Sequence, residues 1–592
     1  MATMNRLLAP GAAPVIGRMF EAGADQAEAT PAPRPVLAAH AAPAAPSAPQ
    51  PVHPSLPFIG VVRGFQPGAS IGVTRRLSLK HDLYLADHHF VHAPGVKPLA
   101  DCFPVLPMTV SLEAMAQTAA CLAPGLGLLG FENVTARRWI ALEEGDALDL
   151  RIEARVLEQP APDARRRISV QVFSGETGVA AIDATVSFGS HHTPAQASMA
   201  PLDDGARHEA AALYRERHLF HGPRFQCLEG AVLAGAGGVS ATLRTRGADD
   251  WFAGERQPQL LTDAAMLDTV GQLAAVWAMQ AGRSAFPIGL ERLELHGPTP
   301  APGARLPIRL QVVEQQFRML VADVEIGDGK GGLWLRIGGW KSWQFDWAPQ
   351  LVAFQRKPAQ TLLSQECALP GAGLACRRLA AATLKGFDLA LLARHYLHDC
   401  EWQAFCAKAK VPARQLDWLL GRIAAKDAAR AWSGHPGLHP AAFAIVNNRA
   451  GQPAVSYWPP DWPVPRISIA HGGGQAVGLA SGAEVGVDIE AVAARDAHCV
   501  ESFCTQSELR LLEAVPEAVR GAWVTRLWCA KEAFGKRLGT GVAGGPMLFE
   551  AQGLAPDFSL PMRHAASGVE TRVRTTLEGG FVIAFDSAAN AS

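Results

Sequence analysis

A buried-looking helix followed by a strictly alternating strand occurs twice in this 592-residue chain, and that repeat limits the fold more than any other feature. The run Pro104-Val105-Leu106-Pro107-Met108-Thr109-Val110-Ser111-Leu112-Glu113-Ala114-Met115-Ala116-Gln117 is mostly apolar with proline near its start, which predicts a buried helix. After a break at Pro124-Gly125, residues Leu148, Leu150, Ile152, Ala154 and Val156 alternate with Asp149, Arg151, Glu153 and Arg155, the pattern of a half-buried strand. Leu267 to Trp277 reads as a second apolar helix, and Leu306, Ile308, Leu310 and Val312 repeat the alternation. The helix offset from Glu113 to Asp268 is 155 (268 − 113), and the strand offset from Leu148 to Leu306 is 158 (306 − 148). Two units of one design are therefore expected in tandem, each a helix wrapped by an antiparallel sheet. The run Trp340 to Trp347 can close the second sheet, and Pro349 to Pro370 reads as a connector.

The length leaves room for about three to four domains of ~150 residues. Hydrophobic residues make up 48% of the chain, ample for several cores, and the formal net charge of −1 gives no reason to expect nucleic acid as a partner. Ten cysteines without a Cys-x-x-Cys pair fit a reduced chain with incidental thiols. No apolar core of signal-peptide length lies in Met1 to Gly23, and no apolar run approaches ~18 residues, so no membrane partner and a cytoplasmic location are expected. Residues 1–57, dominated from 24 onward by Ala and Pro, read as a semi-extended linker of the kind that tethers a chain to a larger assembly line or marks a piece split from one.

Near the end of the chain, charge is spaced as a ligand site requires. In Val485-Gly486-Val487-Asp488-Ile489-Glu490 the two acids are two residues apart, so on a strand they share a face. In Trp528-Cys529-Ala530-Lys531-Glu532-Ala533-Phe534-Gly535-Lys536, Glu532 and Lys536 are i and i+4 on a helix, with Lys531 adjacent. Paired hard carboxylates suit magnesium, which keeps waters and substrate phosphates in its remaining positions. Taken singly, the two stretches are equally well an acidic strand end and a solvated Lys-Glu helix face. Two Gly-x-Gly-x-x-Gly matches, at Gly125 and Gly539, do not sit between a strand and a helix of a βαβ unit and do not indicate a dinucleotide site.

A Gly-Val-Asp-x-Glu strand, a gap of 40 residues from Asp488 to Trp528, and Trp-x-x-Lys-Glu-Ala-x-x-Lys resemble the signature of the surfactin-synthetase type of 4'-phosphopantetheinyl transferase. Two upstream marks agree with the resemblance. His471, 17 residues before Asp488, is similar to the family's phosphate-contacting histidine, and Trp418 to Ala428 to its early helix. The resemblance implies a two-half, pseudo-symmetric α/β domain over 371–592. Attack of a carrier-protein serine on the β-phosphate of coenzyme A would release 3',5'-ADP. It implies Mg²⁺ on Asp488, Glu490 and Glu532; phosphate contacts from His471, Lys531 and Lys536; and the CoA 3'-phosphate on Arg422 and Lys426. Either Glu532 or a metal-bound water would take the serine proton. Where many relatives carry Gly-Lys-Pro this chain has Gly451-Gln452-Pro453, one cation fewer.

Residues 58–350 resemble the double hot-dog dehydratase of polyketide and polyunsaturated-fatty-acid synthases. The resemblance is carried by Leu85-Ala86-Asp87-His88, Pro104-Val105-Leu106-Pro107, Phe220-His221-Gly222-Pro223-Arg224-Phe225, and Leu267-Asp268 with Gln272. The His-x-x-x-Gly-x-x-x-x-Pro form is absent, since His89-Phe90-Val91-His92-Ala93-Pro94-Gly95 follows His88. Dehydration of a 3-hydroxyacyl thioester implies His88 as base, chosen over His89, and Asp268 as acid with a carboxyl raised by burial. Gln272 would orient Asp268, and amides after Pro107 would polarise the thioester carbonyl. His221 is read as a loop residue that shapes the tunnel.

Taken together, the expectation is an α+β chain: linker 1–57, double hot-dog 58–350, connector 351–370 and transferase 371–592. With no Asp-Ser-Leu carrier serine in the sequence, the partner is expected to be a carrier on another chain or an upstream segment, alongside other synthase domains. The hot-dog sheets also imply a homodimer. The competing expectation is an inert hot-dog scaffold that only binds acyl chains.

Overall fold

The computed structural model describes residues 56–588 apart from 144, 158–164, 176–177, 201, 203, 369–372, 436 and 543–544. The linker expected over 1–57 lies outside these residues up to position 55. By contact the chain divides into two units, one containing residues 56–90 and 98–347, the other Val91–Lys97 and Ala348–Ser592. Among the described residues no helix is long and apolar enough to cross a membrane, which says nothing of a β-barrel.

The first unit is one antiparallel sheet of 14 strands bearing two buried helices, α1 (Met108–Ala120) and α2 (Ala264–Met279). Its centre is the pairing of Gly127–Ala136 with Ser284–Leu295. Outward from there the strand order is the same on both sides. One side runs through Ile182–Gly189, Arg166–Ser174, Ala147–Val156 and Ser70–Ser78, and the other through Gly332–Phe345, Met319–Gly327, Arg305–Gln316 and Gly238–Arg244. The duplication expected from sequence is thus two hot-dog halves that share one sheet. The alternating strand Ala147–Val156 turns Leu150, Ile152 and Ala154 into the core and leaves Asp149, Arg151 and Glu153 outside.

The symmetry extends to side chains. On α1, Gln117 Nε2 donates to Glu113 Oε1 at 2.7 Å, and on α2, Gln272 Nε2 donates to Asp268 Oδ2 at 3.0 Å. Glu113 also accepts from Leu261 N (2.8 Å), Thr262 N (2.7 Å) and Thr262 Oγ1 (2.7 Å), which satisfies both of its oxygens. Burial still pushes its carboxyl up.

The second unit contains two sheet-and-helix pairs. Helix α3 (Pro412–Ser433) packs on the sheet ordered Gln365–Glu366, Leu374–Ala380, Gln475–Ser481, Arg466–Gly472. Helix α4 (Glu517–Leu538) packs on the sheet that begins with Val485–Ala491 and Phe581–Ser587. Each helix ends on a left-handed glycine, Gly434 and Gly539. The stretch 351–370, expected as a connector, instead carries part of the helix Pro349–Arg356, with Leu351 and Phe354 buried. Arg430 of α3 donates to the carbonyls of Pro358 and Ala359 at 2.8 and 2.7 Å, which ties these two residues to the unit.

Gly486 marks where α4 and its strand touch backbone to backbone. A Cβ there would lie 1.8 Å from the Ala533 carbonyl oxygen and 2.7 Å from Arg537 N. A Gly486→Val substitution is therefore expected to cost about 3 kcal/mol or more by overpacking, read as a lowered denaturation midpoint of the second unit.

Candidate functional site

In the first unit the site is assembled from both halves. The short 3-10 turn Leu83–Asp87, anchored by buried Tyr84 and Leu85, delivers His88. His88 Nδ1 is 2.8 Å from the Val105 carbonyl oxygen. A carbonyl can only accept, so Nδ1 carries the proton and Nε2 of the neutral ring keeps its lone pair. Phe90, Phe220 and Phe225 surround the ring. Burial is the main reason the His88 pKa falls to about 4, against the opposing pull of Asp268. His89 is only half-buried.

Asp268 on α2 accepts from Gln272, whose amide is fixed in turn: Nε2 also donates to Phe225 O at 2.9 Å and Oε1 accepts from Tyr214 OH at 2.6 Å. The upward shift expected for this carboxyl is corrected. Burial does push it up, but the His221 and His88 rings and the Gln272 amide together outweigh burial and hold it below the usual range. His221, expected only to shape the tunnel, places Nε2 3.1 Å from Asp268 Oδ2. His88, His221 and Asp268 each offer an atom within 4.8 Å of the other two, the only such trio of His, Cys, Asp or Glu among the described residues.

The run Phe220-His221-Gly222-Pro223-Arg224-Phe225 holds this arrangement together. Gly222 N donates to Asp87 O at 2.7 Å, and Arg224 reaches Asp87 Oδ2 through N (3.1 Å) and Nη1 (2.8 Å). A side chain at Gly222 would strike Asp87, 2.7 Å from its Cβ. The signal for His221 was thus present in the sequence, but only the fold brings it across to α2.

In the second unit, Asp488 and Glu490 lie on Val485–Ala491 and Glu532 and Lys536 on α4. Lys536 Nζ donates to Asp488 Oδ1 at 2.7 Å and to Val487 O at 3.1 Å. Asp488 Oδ2 is buried without a hydrogen-bond partner. The Glu490 carboxyl is pushed up by burial and by Asp488, and that of Glu532 by burial and by both other acids, with Lys536 opposing. The three carboxylates therefore share one field, although their oxygens do not all come within 4.8 Å of one another. Oxygen donors, mutual repulsion and an orphaned buried oxygen fit a hard divalent cation. His471 is exposed at the end of Arg466–Gly472, and its charge acts on Glu490.

Two expected phosphate contacts are corrected. Lys531 is fully buried, with Nζ 2.7 Å from Glu508 Oε2 and 3.2 Å from Pro546 O. Lys426 is also fully buried, 2.6 Å from Glu401 Oε2 and donating to the carbonyls of Tyr396, Pro440 and Phe443 at 2.9, 2.9 and 2.5 Å. The Lys426 ammonium has no proton left for a ligand, and Lys531, with two partners, is fully buried away from solvent. Arg422, one turn from Lys426, stacks over Trp418 with its Cζ 4.9 Å from the ring centroid and donates to Asn447 Oδ1 at 3.3 Å. Its Nε has no hydrogen-bond partner.

With this geometry in view, residues 484–564 match the model of the 4'-phosphopantetheinyl transferase superfamily, and residues 189–346 match the polyketide synthase dehydratase N-terminal domain. The chain thus carries, in separate regions, a stretch similar to polyketide synthase dehydratases and a stretch similar to phosphopantetheinyl transferases. The transferase match takes in Asp488, Glu490, Glu532 and Lys536, and the dehydratase match takes in His221, Asp268 and Gln272 but not His88. Over 239 residues the chain is 27% identical to one of the subunits of the polyunsaturated fatty acid synthase of Thraustochytrium sp., covering 39% of this chain and 8% of that protein. Over 86 residues it is 34% identical to the 4'-phosphopantetheinyl transferase psf-1 of Bacillus pumilus, covering 14% of this chain and 37% of that one. The chain thus spans well under two thirds of either curated relative. The solved dehydratase domain of PpsC from Mycobacterium tuberculosis is 21% identical with a TM-score of 0.37, covering 49% of this chain and all of that one.

The corrected lysines give a sharp expectation. Lys426→Met takes from buried Glu401 its 2.6 Å ion pair, leaving Arg422 at 3.9 Å as its remaining cation, and is expected to destabilise the second unit by roughly 3 kcal/mol, measured by chemical denaturation without any ligand. The depressed His88 pKa sets a pH dependence. The unfolded ring takes a proton near 6.5 and the folded ring only near 4, so this stability is full above about 6.5 and is lost as pH falls toward 4. The lowered Asp268 carboxyl acts with the same sign. Thermal unfolding followed from pH 7.5 down to 4 is expected to be less acid-sensitive in His88→Gln than in the wild type.

Proposed function

We propose that the chain is bifunctional. Its second unit transfers 4'-phosphopantetheine from coenzyme A to a serine of an acyl carrier protein, and its first unit dehydrates 3-hydroxyacyl thioesters carried on that arm to 2-enoyl thioesters. The observation that carries the transferase reading is the set Asp488, Glu490, Glu532 and Lys536, with Asp488 Oδ2 left unpartnered beside two carboxyls of raised pKa.

In the transfer, the serine oxygen bonds to the β-phosphorus, the bond to the bridging oxygen breaks, and 3',5'-ADP departs. Such chemistry is mainly positioning and charge neutralisation. Asp488, Glu490 and Glu532 would hold Mg²⁺, which when bound neutralises the diphosphate and stabilises the leaving group. Lys536 keeps Asp488 in place and, with His471, faces the phosphates, while Arg422 is left to meet the 3'-phosphate. Glu532, whose carboxyl burial pushes up, or a metal-bound water would take the serine proton.

In the dehydration, Nε2 of neutral His88 removes the C2 proton, the C2–C3 double bond forms, and the C3 hydroxyl leaves as water beside Asp268. Gln272 fixes the Asp268 rotamer. The carrier is supplied by another polypeptide or another segment of the same synthase.

The test is a purified carrier protein incubated with the full chain, coenzyme A and MgCl₂. Mass spectrometry is expected to record addition of phosphopantetheine, with initial rates at least about 100-fold lower for Asp488→Asn, Glu490→Gln and Glu532→Gln and unchanged for His88→Ala. A second readout needs no turnover. Because metal and proton compete for the same raised carboxyls, the rise in melting temperature on adding MgCl₂ is expected to be larger at about pH 7.5 than at about pH 5, and to vanish in Glu490→Gln. Enoyl formation from a 3-hydroxyacyl carrier is expected to disappear in His88→Ala. Wild-type transfer without any enoyl formation would assign the first unit to acyl binding alone.

A further inference from the structure

The trio of His88, His221 and Asp268 has a property besides acid and base chemistry. Two imidazoles and one carboxylate are the donor set that suits zinc and its neighbours in the first transition row, whereas magnesium takes oxygen. The acids Asp488, Glu490 and Glu532 of the second unit are a set of the opposite kind.

We propose that His88, His221 and Asp268 bind one divalent transition-metal ion of the zinc type, and that the ion takes up the His88 lone pair and so switches the first unit off. The binding stands apart from the dehydration reading; the blocking rests on it. Distance is the first support. One donor atom from each residue lies within 4.8 Å of the other two, and His221 Nε2 is 3.1 Å from Asp268 Oδ2. Metal bonds of about 2.0–2.1 Å set neighbouring ligand atoms about 2.9–3.4 Å apart. The hydrogen bond therefore holds that pair at ligand spacing, and small side-chain rotations close the rest. When Nε2 binds the ion, the His221 proton sits on Nδ1.

Orientation is the second support. His88 Nδ1 is anchored 2.8 Å from the Val105 carbonyl oxygen, the usual backing of a metal-binding histidine, and this leaves Nε2 for an ion. Asp268 is backed by Gln272 at 3.0 Å, and Gln272 by Phe225 O and Tyr214 OH. Access is the third. The side chains of His221 and Asp268 are 8% and 11% exposed and His88 is 7% exposed, so solvent touches all three, and a bare ion needs less room than the water that reaches them. The internal repeat supplies the contrast: on α1 the equivalent Glu113 meets Gln117, Leu261 and Thr262 and no imidazole.

The test uses the full chain freed of metal by a chelator and kept in excess MgCl₂, which competes at the three carboxylates of the second unit. Zn²⁺ is titrated against a chromophoric chelator, and Co²⁺ serves as a coloured substitute whose visible bands report nitrogen ligation. One tight equivalent per chain is expected. His88→Ala and His221→Ala are each expected to weaken it at least about 100-fold, and Gln272→Ala about 10–100-fold through the lost backing of Asp268. His221→Cys, which keeps a zinc ligand, is expected to stay within about tenfold of wild type. Melting temperatures without metal certify that the variants are folded, and His221→Cys keeps the test open where alanine is not tolerated. Dehydration of a 3-hydroxyacyl carrier by the wild type is expected to fall in step with occupancy of that equivalent and to return on adding EDTA. No tight equivalent in the wild type, or one that survives in both His88→Ala and His221→Ala, would overturn the site. Zinc bound as expected with dehydration undiminished would overturn the blocking. Zinc bound as expected by a chain that dehydrates nothing even without metal removes the dehydration reading and leaves the metal site standing.

Discussion

A charge taken out of water must find a partner, and the search for partners separates scaffold from site throughout this molecule. Lys426 and Glu113 are buried and completely paired, by three carbonyls and Glu401 for the first and four donors for the second, and Lys531 is buried against Glu508 and one carbonyl. Each lysine meets an opposite charge within the fold, and the carboxylate of Glu113 meets donors on both oxygens. Asp488 Oδ2, Arg422 Nε and His221 Nδ1 are buried and left over. Glu490 and Glu532 are half-buried beside charges of their own sign. Other buried atoms, Trp334 Nε1 and Ser187 Oγ among them, also lack a partner, so an unpartnered atom points to a ligand only where charge gathers around it, as it does at Asp488.

The internal repeat makes the contrast within one scaffold. Glu113 with Gln117, and Asp268 with Gln272, are the same acid and amide one helical turn apart in two copies of one half. In the first copy the strand-to-helix segment at Leu261 and Thr262 caps the carboxylate completely, and it becomes a staple between the halves. In the second the carboxylate is left facing two imidazoles. Duplication thus supplied two equivalent positions, and one loop decided which of them became chemical.

Backbone contact does comparable work in the second unit. Because Gly486 has no side chain, α4 lies directly on the strand Val485–Ala491, and the acids two and four residues farther along face the carboxylate and the lysine of the helix. The glycine of the sequence pattern is therefore a packing requirement, while Asp488, Glu490, Glu532 and Lys536 carry the charge.

Periodicity made much of this legible in the chain itself. The two apolar helices, the alternating strands at Leu148 and Leu306, the i, i+2 acids and the i, i+4 Glu532–Lys536 pair follow from spacings of 2 and 3.6 residues, which are local properties. The ordered stretch after Pro349 was missed because a short helix with only two buried anchors, Leu351 and Phe354, carries little pattern. Which face of a patterned helix meets solvent is not local. Lys426 was expected beside Arg422 at the CoA 3'-phosphate, and only the packing of Glu401 and three carbonyl groups around it shows it turned inward. Likewise Asp268 was expected to be neutral from burial alone, since the histidine that keeps it charged is 47 residues away in sequence and 3.1 Å away in space. The sequence determined which groups could ionise and on which elements they sit; the tertiary structure decided their charge, because an ion's state depends on its neighbours at a few ångströms, and those neighbours come from distant parts of the chain.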